Sequence, residues 1–454
     1  MKLSVVILGA GESGLGAAML AKSKGFDVFL SDYGKIAATF RELLIANEIA
    51  FEEGGHTIEK LTAAHLVVKS PGIPNTVPGI QALKKKGIPV ISEIEFASRY
   101  TEAKIIAITG TNGKTTTTLL TYHLLREAGF NVGVGGNIGN SFAAMVVDDV
   151  YDYYVLEISS FQLDDIDTFK PQLSMILNVT PDHLDRYEGS MDRYCDAKFR
   201  IVMNQSEEET LIAGVDSPMI KERVESAAAM VNIFPFSIEP IAQSGAWTDG
   251  PDLKFRLQDG QELTISSSSL PLYGRHNQLN ALAAISAALM TGAKGEQVVE
   301  ALKTFRNAPH RMELVAEIDG VKYINDSKAT NVDAVYYALD GIEESIVWIA
   351  GGVDKGNDYE QIALLVEQKV SHLVGMGTDN RALTDFFSNH LTAITDCDSM
   401  QSAVAAAAEV AAKGMVVLLS PACASFDLFT NYMDRGDQFR AEVLELAKRK
   451  EKMS

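Results

Sequence analysis

Thr109-Gly110-Thr111-Asn112-Gly113-Lys114-Thr115-Thr116 follows the apolar run Ile105 to Ile108 and leads into a helical stretch expected to begin near Thr116. A glycine-bracketed turn between a strand and a helix lets consecutive backbone N–H groups cup phosphate oxygens. Lys114 then neutralises charge on the β- and γ-phosphates, and the Thr115 hydroxyl can reach Mg²⁺. Ile108 stands where the usual eight-residue pattern has its first glycine. Context therefore identifies the loop, and strand, Gly-Lys-Thr and helix together favour a phosphate site over a structural turn.

A second glycine cluster, Gly9-Ala10-Gly11-Glu12-Ser13-Gly14, lies after a strand and opens a helix, with Asp32 ending the next strand eighteen residues on. This is the spacing of a dinucleotide fingerprint, in which glycines bring backbone N–H groups to a pyrophosphate at a helix N-terminus. A bare strand-to-helix turn is the alternative. The pattern does not tell NAD from another nucleotide diphosphate.

Glu157 ends the buried run YYVLE, where a carboxylate is costly unless it faces a cation. A Mg²⁺ ligand opposite the phosphate loop is the reading, and a salt bridge to a core Arg the alternative. His183 follows LSMILNV on a loop and Lys198 lies on the next helix; alone, each reads as an ordinary loop or solvated residue. Arg311, in Asn307-Ala308-Pro309-His310-Arg311-Met312-Glu313, occupies a junction from which it could reach a phosphate, or pair with Glu313. Asp326 ends the strand of VKYINDSKATN and is followed by Lys328 and Thr330, where open α/β sheets bind ligands. Ser425 and Tyr432 lie near the end, with a helix-capping Ser and a core Tyr as the plain alternatives.

The elements that must position these residues form three series of short β-branched runs alternating with helices. The first runs from SVVILGA through DVFLSD and HLVVKSPG to IPVIS. The second runs from KIIAITG through YYVLEISS, LSMILNV and TLIAGV. It continues into a polar stretch, Ser244 to Gly274, that reads as antiparallel hairpins, then two helices to about Phe305. The third contains VKYINDS, SIVWIAGG, HLVGMG and MVVLLSPA. The fold class is α/β with three domains, at residues 1–95, 96–308 and 309–454. The first and last are Rossmann-like, and the central one is P-loop ATPase-like with added antiparallel strands.

A length of 454 residues with 46% hydrophobic and 22% charged content is globular throughout. A formal charge of −20 argues against binding nucleic acid or anionic lipid through the overall field, so phosphate must be held locally. Cys195, Cys397 and Cys423 are too few and too far apart for a disulfide framework or a metal site, which fits a reducing compartment. The opening apolar run, Val5 to Leu8, is too short for a signal peptide, and no segment approaches a membrane span. A cytoplasmic protein is expected.

Taken in order, TGTNGKTTT, GGNIGN, LEISSFQL, NVTPDHLDRY, DAKFRI, YGRHNQLNALAA, PHRMEL, INDSKATN, GGVDKG and SPACASFD resemble the Mur ligases of bacterial cell-wall synthesis. The likeness spans all three domains and is nearest to the D-glutamate-adding branch. The TGTNGKT loop is shared with folylpolyglutamate synthetases, whereas HRMEL, INDSKATN and SPACASFD are more specific, and the DNPR signature of the diaminopimelate- or lysine-adding branch is absent.

The resemblance implies a bacterial, cytoplasmic, monomeric ligase that uses ATP and Mg²⁺ to join D-glutamate to UDP-N-acetylmuramoyl-L-alanine through an acyl phosphate. It implies that Gly110, Asn112, Gly113, Lys114, Thr115, Thr116, Asn277, Asn280, Arg311, Asp326, Lys328 and Thr330 bind ATP. Thr115, Glu157, His183 and Lys198 would hold Mg²⁺, with Lys198 carbamylated. Lys114, His183, Lys198 and Arg311 would be catalytic. Gly11, Ser13, Gly14, Leu15, Asp32, Ser70, Pro71, Gly72 and Asn137 correspond to contacts with the UDP substrate, and Lys355, Ser425, Phe426 and Tyr432 to contacts with D-glutamate. Tyr33-Gly34-Lys35 departs from the Thr-Arg that well-known members carry after Asp32, Tyr432 replaces a common Phe, and Phe426 a common Leu. Folylpolyglutamate synthetase, an NAD-dependent dehydrogenase built on the first glycine cluster, and a non-catalytic nucleotide-binding regulator are the competing readings.

Overall fold

A computed structural model describes the chain except for Met1, Pro271, Tyr273, Lys355 and Ser454. The first sheet contains β1 (Ser4–Leu8), β2 (Asp27–Asp32), β3 (Ala50–Glu53), β4 (Leu66–Lys69) and β5 (Val90–Ser92). All are parallel, in the order β3-β2-β1-β4-β5. The chain reverses direction across the sheet between β1 and β4, so the loops after these two strands border the crevice where such sheets take ligands.

The second sheet has nine strands: β6 (Lys104–Thr109), β7 (Val132–Gly136), β8 (Tyr153–Glu157), β9 (Leu173–Ile176), β10 (Thr210–Gly214), β11 (Asn232–Ser237), β12 (Gly245–Asp249), β13 (Asp252–Arg256) and β14 (Glu262–Ser266). Their order is β14-β13-β12-β11-β10-β9-β6-β8-β7. The neighbouring strands β9, β6 and β8 are almost wholly buried, as the continuous apolar runs of a sheet covered on both faces require. The expected hairpins are β12 to β14, paired antiparallel. Two helices follow, Arg275–Thr291 and Gly295–Thr304.

The third sheet holds β15 (Glu313–Ile318), β16 (Val321–Asn325), β17 (Ile346–Ala350), β18 (Val370–Met376), β19 (Ile394–Cys397) and β20 (Val416–Leu419), in the order β15-β16-β20-β17-β18-β19. Only β15 is antiparallel to its neighbour. Trp348 is fully buried at the centre of this core.

β3, β7, β11, β15 and β19 are strands that the sequence pattern did not single out. β7 is VGVGG and β3 is AFEE. Neither presents the β-branched run that marks a strand, and both lie at sheet edges where one side needs no partner.

The chain divides into two compact units, Met1–Ser269 with Leu279–Phe305, and Leu270–Gln278 with Arg306–Ser454. The first two sheets thus share one unit, and two buried carboxylates on the helix Glu93–Ser98 explain why. Glu95 accepts N–H groups from Asp167, Thr168 and Phe169 at 2.8–2.9 Å, the Thr168 hydroxyl at 2.7 Å and Arg99 at 2.7 Å. Glu93 accepts the Ser141 hydroxyl at 2.6 Å and the Ala143 N–H at 2.7 Å, at the start of the helix Phe142–Val146. Lys69, at the end of β4, adds a buried ion pair to Asp165 at 2.8 Å. Among the described residues no helix is long and apolar enough to cross a membrane.

Candidate active site

Gly110, with φ +156°, turns the chain out of β6, and Gly113, with φ +82°, starts the helix Lys114–Glu127. That helix begins two residues earlier than expected, so the first turn places Lys114, Thr115 and buried Thr116 at its positive end. A Cβ on Gly113 would stand 2.1 Å from Asn280 Oδ1, so only glycine fits there. Asn178 braces the loop from the end of β9. It accepts the Asn112 N–H at 2.8 Å and donates to the Asn112 carbonyl at 3.0 Å, while its own carbonyl takes the Thr111 N–H at 3.0 Å. The Thr111 hydroxyl lies 3.3 Å from that of Tyr194 and accepts the Thr180 N–H at 3.1 Å. Asn178 and Tyr194 were not singled out from sequence; the one available signal was a polar residue at the carboxyl end of a buried strand.

The register of β6 with β8 sets Ile108 beside Glu157, which brings the carboxylate to the loop. Glu157 is 3% exposed and accepts the Thr115 hydroxyl at 2.7 Å and the Asn137 amide at 2.8 Å. A salt bridge to a core Arg is therefore not its role. Thr115 and Glu157 present hard oxygen donors side by side at a phosphate loop, the donor set that suits Mg²⁺, which uses one or two carboxylates together with substrate phosphates and water. His183, with φ +51°, lies exposed on its loop, its ring 5.1 Å from that of Phe161 and its Nε2 3.5 Å from Asp182. Among the described residues no group of three or more His, Cys, Asp and Glu side chains forms a metal cluster.

Lys198 is 1% exposed, so it is not a solvated helix residue. Its Nζ donates to the Gly110 carbonyl at 2.8 Å and lies 4.3 Å from the centre of the Tyr194 ring. Lys114 donates to the same carbonyl at 2.9 Å and to that of Thr111 at 2.7 Å. Burial first, and the Lys114 charge second, hold the Lys198 amine well below the usual lysine range.

In the first sheet, Gly9 has φ +94°, and a Cβ there would meet Ser70 Oγ at 2.5 Å. The loops after β1 and β4 therefore touch, gathering Gly11, Ser13, half-buried Leu15, Ser70, Pro71 and Gly72 at the crevice, with buried Gly14 packed on the Gly9 carbonyl. Asp32 accepts the Ala10 N–H at 2.6 Å and the Gly34 N–H at 2.7 Å, so its carboxylate shapes this loop. Arg186 donates to the Pro71 and Gly72 carbonyls at 3.3 and 3.4 Å and lies over Phe161 at 4.3 Å. Asn137, expected at the UDP substrate, is exposed and tied to Glu157.

In the second unit, Arg311 lies between two residues of positive φ, His310 at +65° and Met312 at +45°. The Glu313 carboxylate pairs with Arg440 at 2.5 Å and accepts the His310 N–H at 2.9 Å. The His310 carbonyl accepts the Lys328 N–H at 3.1 Å. Asp326 accepts the Ser420 hydroxyl at 3.0 Å and the Met312 N–H at 3.2 Å, and burial pushes its carboxyl up to about 7. Lys328 Nζ stands 3.7 Å from the Tyr432 ring centre. Thr330 and Phe426 are exposed, and Asn277 and Ser425 are buried. The last helix starts at Tyr432, too far on for Ser425 to cap it. Lys355 lies outside the described residues.

A strand, a glycine-turned phosphate loop, a Thr–carboxylate pair and a Rossmann-like partner domain define a nucleotide-dependent enzyme. Residues 3–92 match the Mur ligase MurD-like N-terminal domain, 108–288 the Mur ligase middle domain and 310–423 the Mur ligase glutamate ligase domain. The UDP-N-acetylmuramoylalanine--D-glutamate ligase of Cytophaga hutchinsonii is 48% identical over 98% of this chain and 100% of its own. That of Bacteroides fragilis is 48% identical over 97% and 99%. Two solved structures from Thermotoga maritima share the fold. UDP-N-acetylmuramate-alanine ligase has a TM-score of 0.60 at 19% identity, covering 98% of this chain and 100% of its own. MurF ligase in complex with ADP has a TM-score of 0.62 at 16% identity, covering 94% and 99%. The chain belongs to the Mur ligase family of ATP-dependent amide ligases, which sets aside the dehydrogenase and regulator readings.

Proposed function

We propose that this ligase joins D-glutamate to UDP-N-acetylmuramoyl-L-alanine, releasing ADP and phosphate, as a monomer in the bacterial cytoplasm. The observation that carries it is the 2.7 Å contact between the Thr115 hydroxyl and Glu157 at the mouth of the phosphate loop, in a chain that matches D-glutamate ligases along its length. Residues 1–95 would bind the UDP substrate, 96–308 ATP and 309–454 the amino acid.

An amide forms from a carboxylate only after one oxygen becomes a leaving group. The acceptor carboxylate attacks the γ-phosphorus, a C–O–P linkage forms and ADP departs. The amine nitrogen of D-glutamate then attacks the acyl carbon, the C–O bond breaks, phosphate leaves and the nitrogen gives up a proton. Phosphoryl transfer depends on positioning and charge neutralisation, which Lys114 and Arg311 supply as cations. Thr115, Glu157 and His183 would hold Mg²⁺, which neutralises phosphate charge when bound. Lys198 would join them as a carbamate. Its burial, which holds the amine well below the usual lysine range, supports this, because only the neutral amine adds CO₂. The remaining ATP, UDP-substrate and D-glutamate residues keep the roles the resemblance implies.

Phosphate release should require the UDP substrate and D-glutamate together. Equal turnover with L-glutamate, or with a folyl acceptor, would replace this reading with another ligase of the superfamily.

A further inference from the structure

Arg435 is 0% exposed, yet among the described residues no carboxylate lies within ion-pair distance of it. Among the described residues its hydrogen bonds go to neutral oxygens. It donates to the Ser327 hydroxyl at 3.0 Å and carbonyl at 2.9 Å, to the Cys423 carbonyl at 3.1 Å and to the Gly351 carbonyl at 3.5 Å. These acceptors lie on the loops that follow β16, β20 and β17, three adjacent strands of one sheet. Their carboxyl ends are where open α/β sheets bind ligands. The same loops carry Lys328 and Ser425. The Ser327 hydroxyl, in turn, donates to the Tyr432 carbonyl at 2.8 Å.

A buried guanidinium is expensive to desolvate and normally has an anion against it. Burial lowers this one only to about 10, so it stays charged at neutral pH. Asp427 attracts it from beyond ion-pair distance, with one oxygen on the Thr378 N–H at 3.1 Å. In a poorly screened interior such a charge acts over a longer range than in water.

We propose that Arg435 is the positioning residue of the amino-acid site, fixing its three loops in register and lending it a positive charge that selects a dicarboxylate amino acid. The proposal rests on the D-glutamate reading above.

The test uses the full chain, phosphate release and two amino acids of equal length, D-glutamate and D-glutamine, the latter measured as substrate or inhibitor. Arg435→Met should raise the Michaelis constant for D-glutamate by roughly tenfold or more, the scale of one lost charge-assisted interaction. It should reduce the preference for D-glutamate over D-glutamine by a similar factor and leave the constant for ATP nearly unchanged. Arg435→Lys keeps the charge but not the fork. It should keep the preference while the D-glutamate constant stays raised. If the Met variant does not fold by circular dichroism, the Lys variant decides, and loss of its preference or an unchanged D-glutamate constant overturns the proposal. In a folded Met variant, an unchanged preference, or an ATP constant rising in proportion, overturns it too. A wild-type enzyme with no D-glutamate dependence would instead sink the parent reading.

Discussion

The side-chain nitrogens of Lys114 and Lys198 converge on one oxygen, the Gly110 carbonyl, at 2.9 and 2.8 Å. Two full positive charges so close would repel, and Lys198 is the buried one. Burial first, and the Lys114 charge second, hold the Lys198 amine well below the usual lysine range beside the same loop.

It follows that Lys198 should take up CO₂. Incubation with ¹³C-bicarbonate should give a carbamate carbon resonance that Lys198→Arg lacks. Lys198→Ala should lose most activity and regain part of it with acetate or formate. An unlabelled wild-type enzyme with full activity would refute the carbamate.

Thr115 and Glu157 share one hydrogen bond and would share one ion. Thr115→Val and Glu157→Gln should each raise the Mg²⁺ concentration for half-maximal phosphate release by roughly 10–100-fold, the scale for loss of a metal-orienting group. Thermal stability should change little in Thr115→Val. A Mg²⁺ titration with an unmoved midpoint in either variant would remove that residue from the metal site.

Glu93 and Glu95 lie two residues apart yet should titrate in opposite directions. Five donors to Glu95 hold its carboxyl below the usual range, whereas complete burial pushes that of Glu93 up. The stability Glu95 contributes is present above the ordinary glutamate value and is lost as pH falls through its lowered one. That of Glu93 is present below the ordinary value and is lost as pH rises through its raised one. Glu95→Ala should cost about 3–5 kcal/mol, because three backbone N–H groups lose their acceptor. Glu93→Gln should equal or exceed the wild type in urea midpoint at pH 8 and fall behind it near pH 5. The reverse order would refute the assignment.

Asp326, raised to about 7, should make the second unit sensitive to pH in the physiological range. Its contribution is full below the ordinary aspartate value and declines as pH rises towards 7, so stability should fall over that window and level off above it. Asp326→Asn should flatten this slope in melting curves recorded from pH 5 to 8. If Asp326 serves ATP as a carboxylate, the wild-type Michaelis constant for ATP should also rise as pH drops below 7.

What could be read from the chain alone was local. The turn Gly110 to Lys114 with its strand and helix, the glycines after β1 and the hairpins after Ser244 are each specified by neighbours in sequence, through backbone freedom and alternating hydrophobicity. Glu157 could be suspected because a carboxylate at the end of an apolar strand must answer to something. Tertiary structure decided what depends on residues far apart in the chain. Asn178 meets Asn112 across sixty-six positions, and Arg435 meets Ser327 across 108. Whether Lys198 is a solvated cation or a buried amine depended on the packing of its helix under the phosphate loop. The joining of the first two domains depended on two glutamates that a sequence pattern reads as the exposed first turn of a helix. Burial and long-range hydrogen bonding are properties of the assembled sheet, and no local periodicity encodes which buried polar group will find which partner.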